Sequence, residues 1–410
     1  MSRLRSVTAF VAGLVTVVGT IARNAQVPHS VSAGGIADHV ASVITVTDPA
    51  QPSAAHPDVG YNNPRYQSPF GTGLDGVARL LMTNDQGFIT AGCSGSLLWT
   101  GQDVLTAAHC VTDGSNVVTT SAVYSGFLNP GGTVTNIKSS AIYVNPLYVG
   151  GKLADPSGSA IDPNDLAVIH LIRPADPWMT RYNLYFGDPM SQPTLFTGFG
   201  LTGNGITGGV VNTLFDDFTK PGGEPIRRVA LNQWDITLSA DATTIYSGFA
   251  TPIMLSDFDS GSDGDNTLCN FFGGTGNPFE LPPDEFANVC NSGHGIFEGM
   301  IGSGDSGGPG FIWDGALHRF EIAGVASFGS QRCWSPSDST TAGFNNDGTC
   351  PPNYELNGAY FGSYAGHVDP AVGDNWAFIV SVTPEPSSFV LLGSGLVFIV
   401  PMARRRWYIG

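Results

Sequence analysis

The run Gly304-Asp305-Ser306-Gly307-Gly308-Pro309-Gly310 excludes more local structures than any other part of this chain. Four glycines and a proline in seven residues cannot continue a helix. Glycine has the most backbone freedom to lose, and proline lacks a donor N–H. The stretch that follows, Phe311 to Gly324, reads as a hairpin. The same glycines let the N–H groups of Gly304 and Ser306 turn toward one point, where an oxyanion could be held. A serine hydroxyl is a poor nucleophile until a base takes its proton. His109, in Leu105-Thr106-Ala107-Ala108-His109-Cys110, is the candidate base.

These two segments resemble the signature segments of the chymotrypsin-type (trypsin-like) serine peptidases. Asn164-Asp165-Leu166-Ala167-Val168-Ile169 resembles that family's third segment, in which an Asp leads into an apolar strand. The resemblance makes Asp165 the residue that orients His109, with Asp155 and Asp162 close enough to compete. The chain order is His109, Asp165, Ser306. Subtilisin-like enzymes run Asp, His, Ser, and α/β-hydrolases run Ser, Asp, His. Gly304-x-Ser306-x-Gly308 also fits the nucleophile elbow of an α/β-hydrolase, but an elbow feeds a helix, which this run would break. The resemblance implies an exported serine endopeptidase that cleaves protein or peptide substrates through an acyl-enzyme. The competing class is a non-catalytic extracellular matrix or adhesion protein on the same fold.

Fold class follows from punctuation. Val77 to Met82, Ile89 to Cys93 and Ser96 to Trp99 are short apolar runs separated by Gly, Asn and Asp, which marks an all-β domain. The resemblance supplies the architecture: two six-stranded antiparallel β-barrels with a short C-terminal helix, here Asp369 to Val382 with Trp376 and Ile379 on one face. It spans about residues 66–383. Insertions are expected at Gly203 to Gly223 and Ser256 to His294, where surface loops absorb length at little entropic cost.

All six cysteines lie in this body, and an exported protein would oxidise them. By the resemblance Cys93 pairs with Cys110, tying the His109 loop to a neighbouring strand. Three pairings remain for the other four, of which Cys269–Cys290 and Cys333–Cys350 are favoured. The family often has a cysteine four residues before the nucleophile. This chain has Gly302 there, so its pocket wall is built differently.

The resemblance also assigns a substrate pocket. Six residues before Ser306 stands Met300, flanked by Ile301, and Ser327-Phe328-Gly329 resembles the strand that pairs with substrate backbone. Gly329 and Gly358 would leave the pocket mouth open. An apolar floor with no carboxylate implies cleavage after large apolar residues, although Met300 also fits an ordinary core position. In the family the residue before the nucleophile pairs with an amino terminus released by processing. Here that residue is Asp305, and the count back from Cys93 places the cut after Arg65. Separately, Asp257, Asp259, Asp263 and Asp265 offer hard oxygen ligands for calcium, and a solvated acidic loop accounts for the same residues. No other cofactor is implied.

The ends carry addresses. Arg3 and Arg5 precede an apolar run of about 15 residues, too short for a membrane span, so residues 1–22 read as a signal peptide. Residues 23–65 read as a propeptide or linker. Residues 384–410 combine Pro384-Glu385-Pro386, an apolar segment from Phe389 to Ala403 and Arg404-Arg405-Arg406. That tripartite tail resembles the PEP-CTERM sorting signal of Gram-negative bacteria. It implies transient inner-membrane association, an exosortase-type partner, and an extracellular or cell-surface destination. A plain tail anchor is the alternative. Net charge is −17, which argues against nucleic acid and anionic lipid as partners.

Overall fold

The computed structural model describes residues 45–47, 50, 63–150, 153–154, 160–190, 192–206, 208–210, 226–238, 253–272, 289–334, 341–342, 355–358 and 361–383. The short apolar runs become strands, beginning with β1 (Val77–Thr83), β2 (Ile89–Leu97) and β3 (Asp103–Thr106). With β4 (Ala122–Leu128), β5 (Val134–Val144) and β6 (Ala167–Leu171) they close a six-stranded barrel in the order β1-β2-β3-β6-β5-β4. Alternate residues of β1 (Ala78, Leu80 and Met82) point into a core shared with Leu97, Val104 and Phe127. Closure removes the sheet edges that would otherwise invite aggregation.

The second half is an antiparallel seven-stranded sheet. Its members are β7 (Thr194–Gly198), β8 (Arg228–Asn232), β9 (Ile236–Leu238), β10 (Ile253–Asp257), β11 (Pro309–Asp314), β12 (Arg319–Gly329) and β13 (Tyr364–Val368). Their spatial order is β8-β7-β11-β12-β13-β10-β9. The outer strands β8 and β9 are joined by only Gln233, Trp234 and Asp235. Asn232 at the end of β8 donates from Nδ2 to the Asp257 carbonyl on β10 at 2.8 Å, so one edge strand reaches the strand next to the other edge. The fold is thus the expected all-β, chymotrypsin-like pair of barrels. The second half is a sheet of seven strands rather than a closed six-stranded barrel, and the Asn232 side chain reaches between its two ends. The expected hairpin after the glycine run is β11–β12.

The two halves are clamped at their rear. Arg227, fully buried ahead of β8, donates to Asp75 Oδ1 at 3.1 Å and to the Pro69 carbonyl at 2.9 Å. The closing helix is α2 (Gly373–Val382), following the short α1 (Thr267–Phe272). Ile379 is fully buried, and Trp376 meets Trp99 and Phe186. Asn375 reaches across from α2 to the carbonyl of Pro163 at 3.0 Å, two residues before Asp165, and accepts from Asn145 Nδ2 at 3.0 Å.

One element lies upstream of the expected boundary at residue 66. The two-residue strand Thr45–Val46 runs parallel to Thr202–Asn204 and antiparallel to Gly299–Met300, and Val46 is fully buried. The folded body therefore includes part of the segment read as propeptide or linker. Cys93–Cys110 and Cys269–Cys290 form disulfides. Cys350 lies outside the described residues, and so does the Cys333–Cys350 pairing. The N-terminal and C-terminal address segments lie outside them too.

Candidate active site

His109 sits in a single turn, Ala108–Cys110, immediately after β3, and Asp165 stands just before β6, the strand paired with β3. Strand pairing thus brings together two residues far apart in sequence. His109 Nδ1 lies 2.7 Å from Asp165 Oδ2, and the His109 amide donates to Asp165 Oδ1 at 2.9 Å. Asp165 is 4% exposed at its side chain, while the imidazole is 34% exposed. Burial alone would raise the Asp165 carboxyl. The charge and hydrogen bond of His109, with donors from Ser327 and the His109 amide, hold it below its usual value. Burial would likewise lower His109, but the Asp165 charge and hydrogen bond outweigh it and leave the imidazole raised.

Of the alternatives, Asp162 is occupied elsewhere, accepting from the amides of Val149 at 2.7 Å and Asn164 at 2.9 Å. Asp155 lies outside the described residues.

The glycine run places the Ser306 turn against the loop that carries His109. Gly304 and Gly307 both take positive φ, +92° and +78°, which a side chain would strain. At Gly307 space is also missing. A Cβ there would come within 2.0 Å of Thr106 Oγ1 and 2.7 Å of the Ala107 amide, next to the His109 turn. The turn is further fixed by Gly307 N–H to Ala326 O at 2.7 Å and Gly308 N–H to Asp305 O at 2.7 Å. Cys110 Sγ touches both partners, 4.0 Å from His109 Nε2 and 3.6 Å from the Ser306 carbonyl. Cys93, His109 and Cys110 are close enough to suggest metal ligation. Both sulfurs are committed to a disulfide, and disulfide sulfur lacks the thiolate charge that binds metals.

Two residues join the site that sequence reasoning did not place in these roles. Ser94 bridges the halves: its amide donates to the Ser306 carbonyl at 2.9 Å, and its hydroxyl donates to the Gly304 carbonyl at 3.1 Å. Its only sequence signal is its position after Cys93. Ser327, expected to meet substrate, instead donates from Oγ to Asp165 Oδ2 at 2.6 Å. Asp305 is fully buried and accepts from the amides of Gly200 at 2.8 Å and Gly302 at 2.9 Å, so its carboxylate organises the turn from behind.

Residues 73–214 match the trypsin family model. That stretch holds the closed barrel, His109 and Asp165, and ends before Ser306. A search of curated proteins finds no match. The trypsin match and the fold together support a serine peptidase acting on protein substrates.

The pocket residues are placed unevenly. Gly329 faces open space, with nothing within 4 Å of where a Cβ would be. Gly358 lies in a separate small sheet, paired with Gln331. The Phe328 ring lies over Gly366, where a Cβ would approach it to 2.1 Å, and joins an apolar cluster with Ile253 and Leu268. Met300 departs from the expected open floor. It is 1% exposed, paired with Thr45, and part of the main core. Of the four calcium candidates, Asp257 and Asp259 are buried, Asp265 is half-buried and Asp263 is exposed.

Proposed function

We propose that this chain is an exported serine endopeptidase with His109, Asp165 and Ser306 as its catalytic triad. In this reading His109 takes the Ser306 proton as the hydroxyl attacks the scissile carbonyl, then delivers it to the leaving amine. Asp165 fixes the imidazole tautomer, with Nδ1–H facing the carboxylate, and stabilises the imidazolium. The N–H groups of Gly304 and Ser306 hold the oxyanion. One observation carries the reading: a buried carboxylate receives both the ring and the amide of His109, while the Ser306 turn packs against that same loop without room for a Cβ at Gly307. A matrix or adhesion protein would have no use for such an arrangement.

Primary specificity in this proposal is for large apolar residues such as Phe, Tyr, Leu or Met. The support is the open space at Gly329 and the resemblance of Ser327-Phe328-Gly329 to a strand that pairs with substrate backbone; Met300, buried in the core, does not bear on it. The signal peptide and the PEP-CTERM-like tail make the proposed destination the cell surface or medium of a Gram-negative bacterium, by way of exosortase-type handling.

Ser306→Ala is the test. It should abolish peptide hydrolysis and labelling by an active-site fluorophosphonate while leaving the melting curve and both disulfides unchanged. Hydrolysis near the parent rate would reject the assignment. A peptide library read by mass spectrometry should show cleavage after apolar residues, and a profile dominated by Arg or Lys would reject the specificity.

A further inference from the structure

The closing helix is apolar on both sides. Inward, α2 buries Asn375, Phe378 and Ile379. Outward it shows Ala377, Val380 and Ser381, and Asp374 in its first turn is its single charge. A surface helix ordinarily turns charged residues outward, and one that is apolar all round belongs in contact with something. Trp376 and Val380 stand one turn apart on the same side. Trp376 meets Phe186 edge-on at 5.1 Å and Trp99 at 6.1 Å. Phe186 is 64% exposed and Val380 40%, while both tryptophans are half-buried. Single exposed apolar residues are ordinary, but three rings in series beside an uncharged helix face mark a contact surface.

The sequence beyond the helix points to what covers this face. Thr383, at the end of α2, is 1% exposed, so residues 384–410 continue from the body at that point. Their apolar segment begins at Phe389, a reach of at most about 20 Å from Thr383. Trp376 lies only about 9 Å along the axis from Val382, the last helical residue. Phe389 to Ala403 spans no more than about 22 Å as a helix, short of the roughly 30 Å hydrocarbon core. A bilayer accommodates a short segment by thinning locally and drawing its flanks into the interface. That draws α2 and its aromatic neighbours to the membrane surface, where Trp and other amphipathic rings prefer to sit.

We propose that Phe186, Trp376, Trp99 and Val380 form a docking face for the interfacial layer of a lipid bilayer, the same bilayer that takes the C-terminal apolar segment. The proposal rests on the reading of residues 384–410 as a membrane-associated tail. Charges of both signs adjoin the face: Asp188 follows Phe186, Asp374 precedes Trp376, and Arg181 lies against Gly101, next but one to Trp99. Mixed signs on an acidic body suit zwitterionic headgroups rather than anionic ones. The tail alone would tether the peptidase by a spacer, whereas the docked face fixes how the body stands on the membrane.

The test uses the full-length protein carrying Ser306→Ala, free of self-digestion, reconstituted with phosphatidylcholine vesicles. The photoreactive residue p-benzoylphenylalanine is placed at position 186 or, as a control, at position 88. Phe88 is 69% exposed and lies at the opposite end of β2 from Trp99, about 30 Å along the strand. After flotation and ultraviolet irradiation, mass spectrometry measures lipid adducts on each peptide. Both proteins should float. Position 186 should carry on the order of tenfold more adduct, since a ring in the interface meets lipid and one about 30 Å away stays in water. Should the position-186 protein fail to fold, the same probe at Val380 carries the test. Equal adducts at both positions in floating protein would overturn the docking face alone, and failure to float would overturn it together with the tail reading. Adducts from position 186 to a second protein chain in place of lipid would also overturn it.

Discussion

Ser327 Oγ donates to Asp165 Oδ2 at 2.6 Å, the oxygen that also holds His109 Nδ1. One carboxylate oxygen thus serves two donors from opposite halves of the molecule. In the proposed triad Ser327 would be a positioning residue, acting on His109 through Asp165. Ser327→Ala should lower kcat about tenfold with KM little changed, the scale expected for one hydrogen bond to a charged group. The acid limb of the pH–rate profile should move upward, because a carboxylate relieved of one donor holds the imidazolium more strongly. A KM effect with an unmoved pH profile would return Ser327 to a substrate-contact role.

Asp165→Asn should fold normally and lose about 10⁴ in kcat through the wrong imidazole tautomer. The same loss from Asp162→Asn instead would displace Asp165 from the triad. Asp162→Asn should act only on stability, since its carboxylate secures the amides of Val149 and Asn164.

If His109 is the base of the proposed triad, the pH dependence of activity follows from it. Only the neutral imidazole can accept the Ser306 proton, and Asp165 raises the pH at which it becomes neutral. The acid limb of kcat/KM should therefore lie above about 6.5, the ordinary histidine value, with activity rising as pH climbs through it. A limb at or below that value in the parent enzyme would contradict the pairing.

Acid stability should depend on a different histidine. His367 on β13 is fully buried, stacked on Phe196 at 4.4 Å, and neither ring nitrogen has a hydrogen-bond partner. Burial pushes it down to about 3. The unfolded chain binds this proton near the ordinary histidine value and the folded chain only near 3. The stability it contributes is thus complete above about 6.5 and is lost as pH falls toward 3. His367→Phe should flatten this part of the decline in Tm between pH 7 and 4. An identical decline in parent and variant would refute it.

Maturation should leave Thr45 attached. Tyr66 is buried, with its amide bonded to the Asn63 carbonyl at 2.8 Å, a poor place for a free amino terminus. Thr45 pairs in antiparallel register with Met300, on the segment that leads to Asp305. An activating amine should come from a cut one or two residues before Thr45, not after Arg65. N-terminal sequencing of active enzyme decides this, and a start at Tyr66 with full activity would restore the Arg65 site. Asp305→Asn should inactivate in either case, since Gly200 and Gly302 rely on its carboxylate.

What the sequence made legible was chemistry confined to short windows. The segments of His109, Asp165 and Ser306 stand out through their neighbours and come together in the fold, and strands such as β1 and β2 stand out through apolar runs bounded by turns. The contacts of Ser94 and Ser327 span more than a hundred residues, and a lone Ser carries no mark of such a partner. Thr45–Val46 is too short for any periodicity to register. Met300 was counted to its place correctly along the chain, but its burial depends on the Thr45 strand, which no count from Ser306 could include.

Ser94 and Gly307 give the enzyme a property beyond alignment. The Ser306 turn is pinned from the Ser94 side and abuts the Thr106 hydroxyl and the Ala107 amide, so the proposed hydrolysis depends on the two halves keeping their registry. Turnover would then act as a gauge of the seam. Mild heat or denaturant that lets the halves slip should silence the enzyme while each sheet still holds its own strands together.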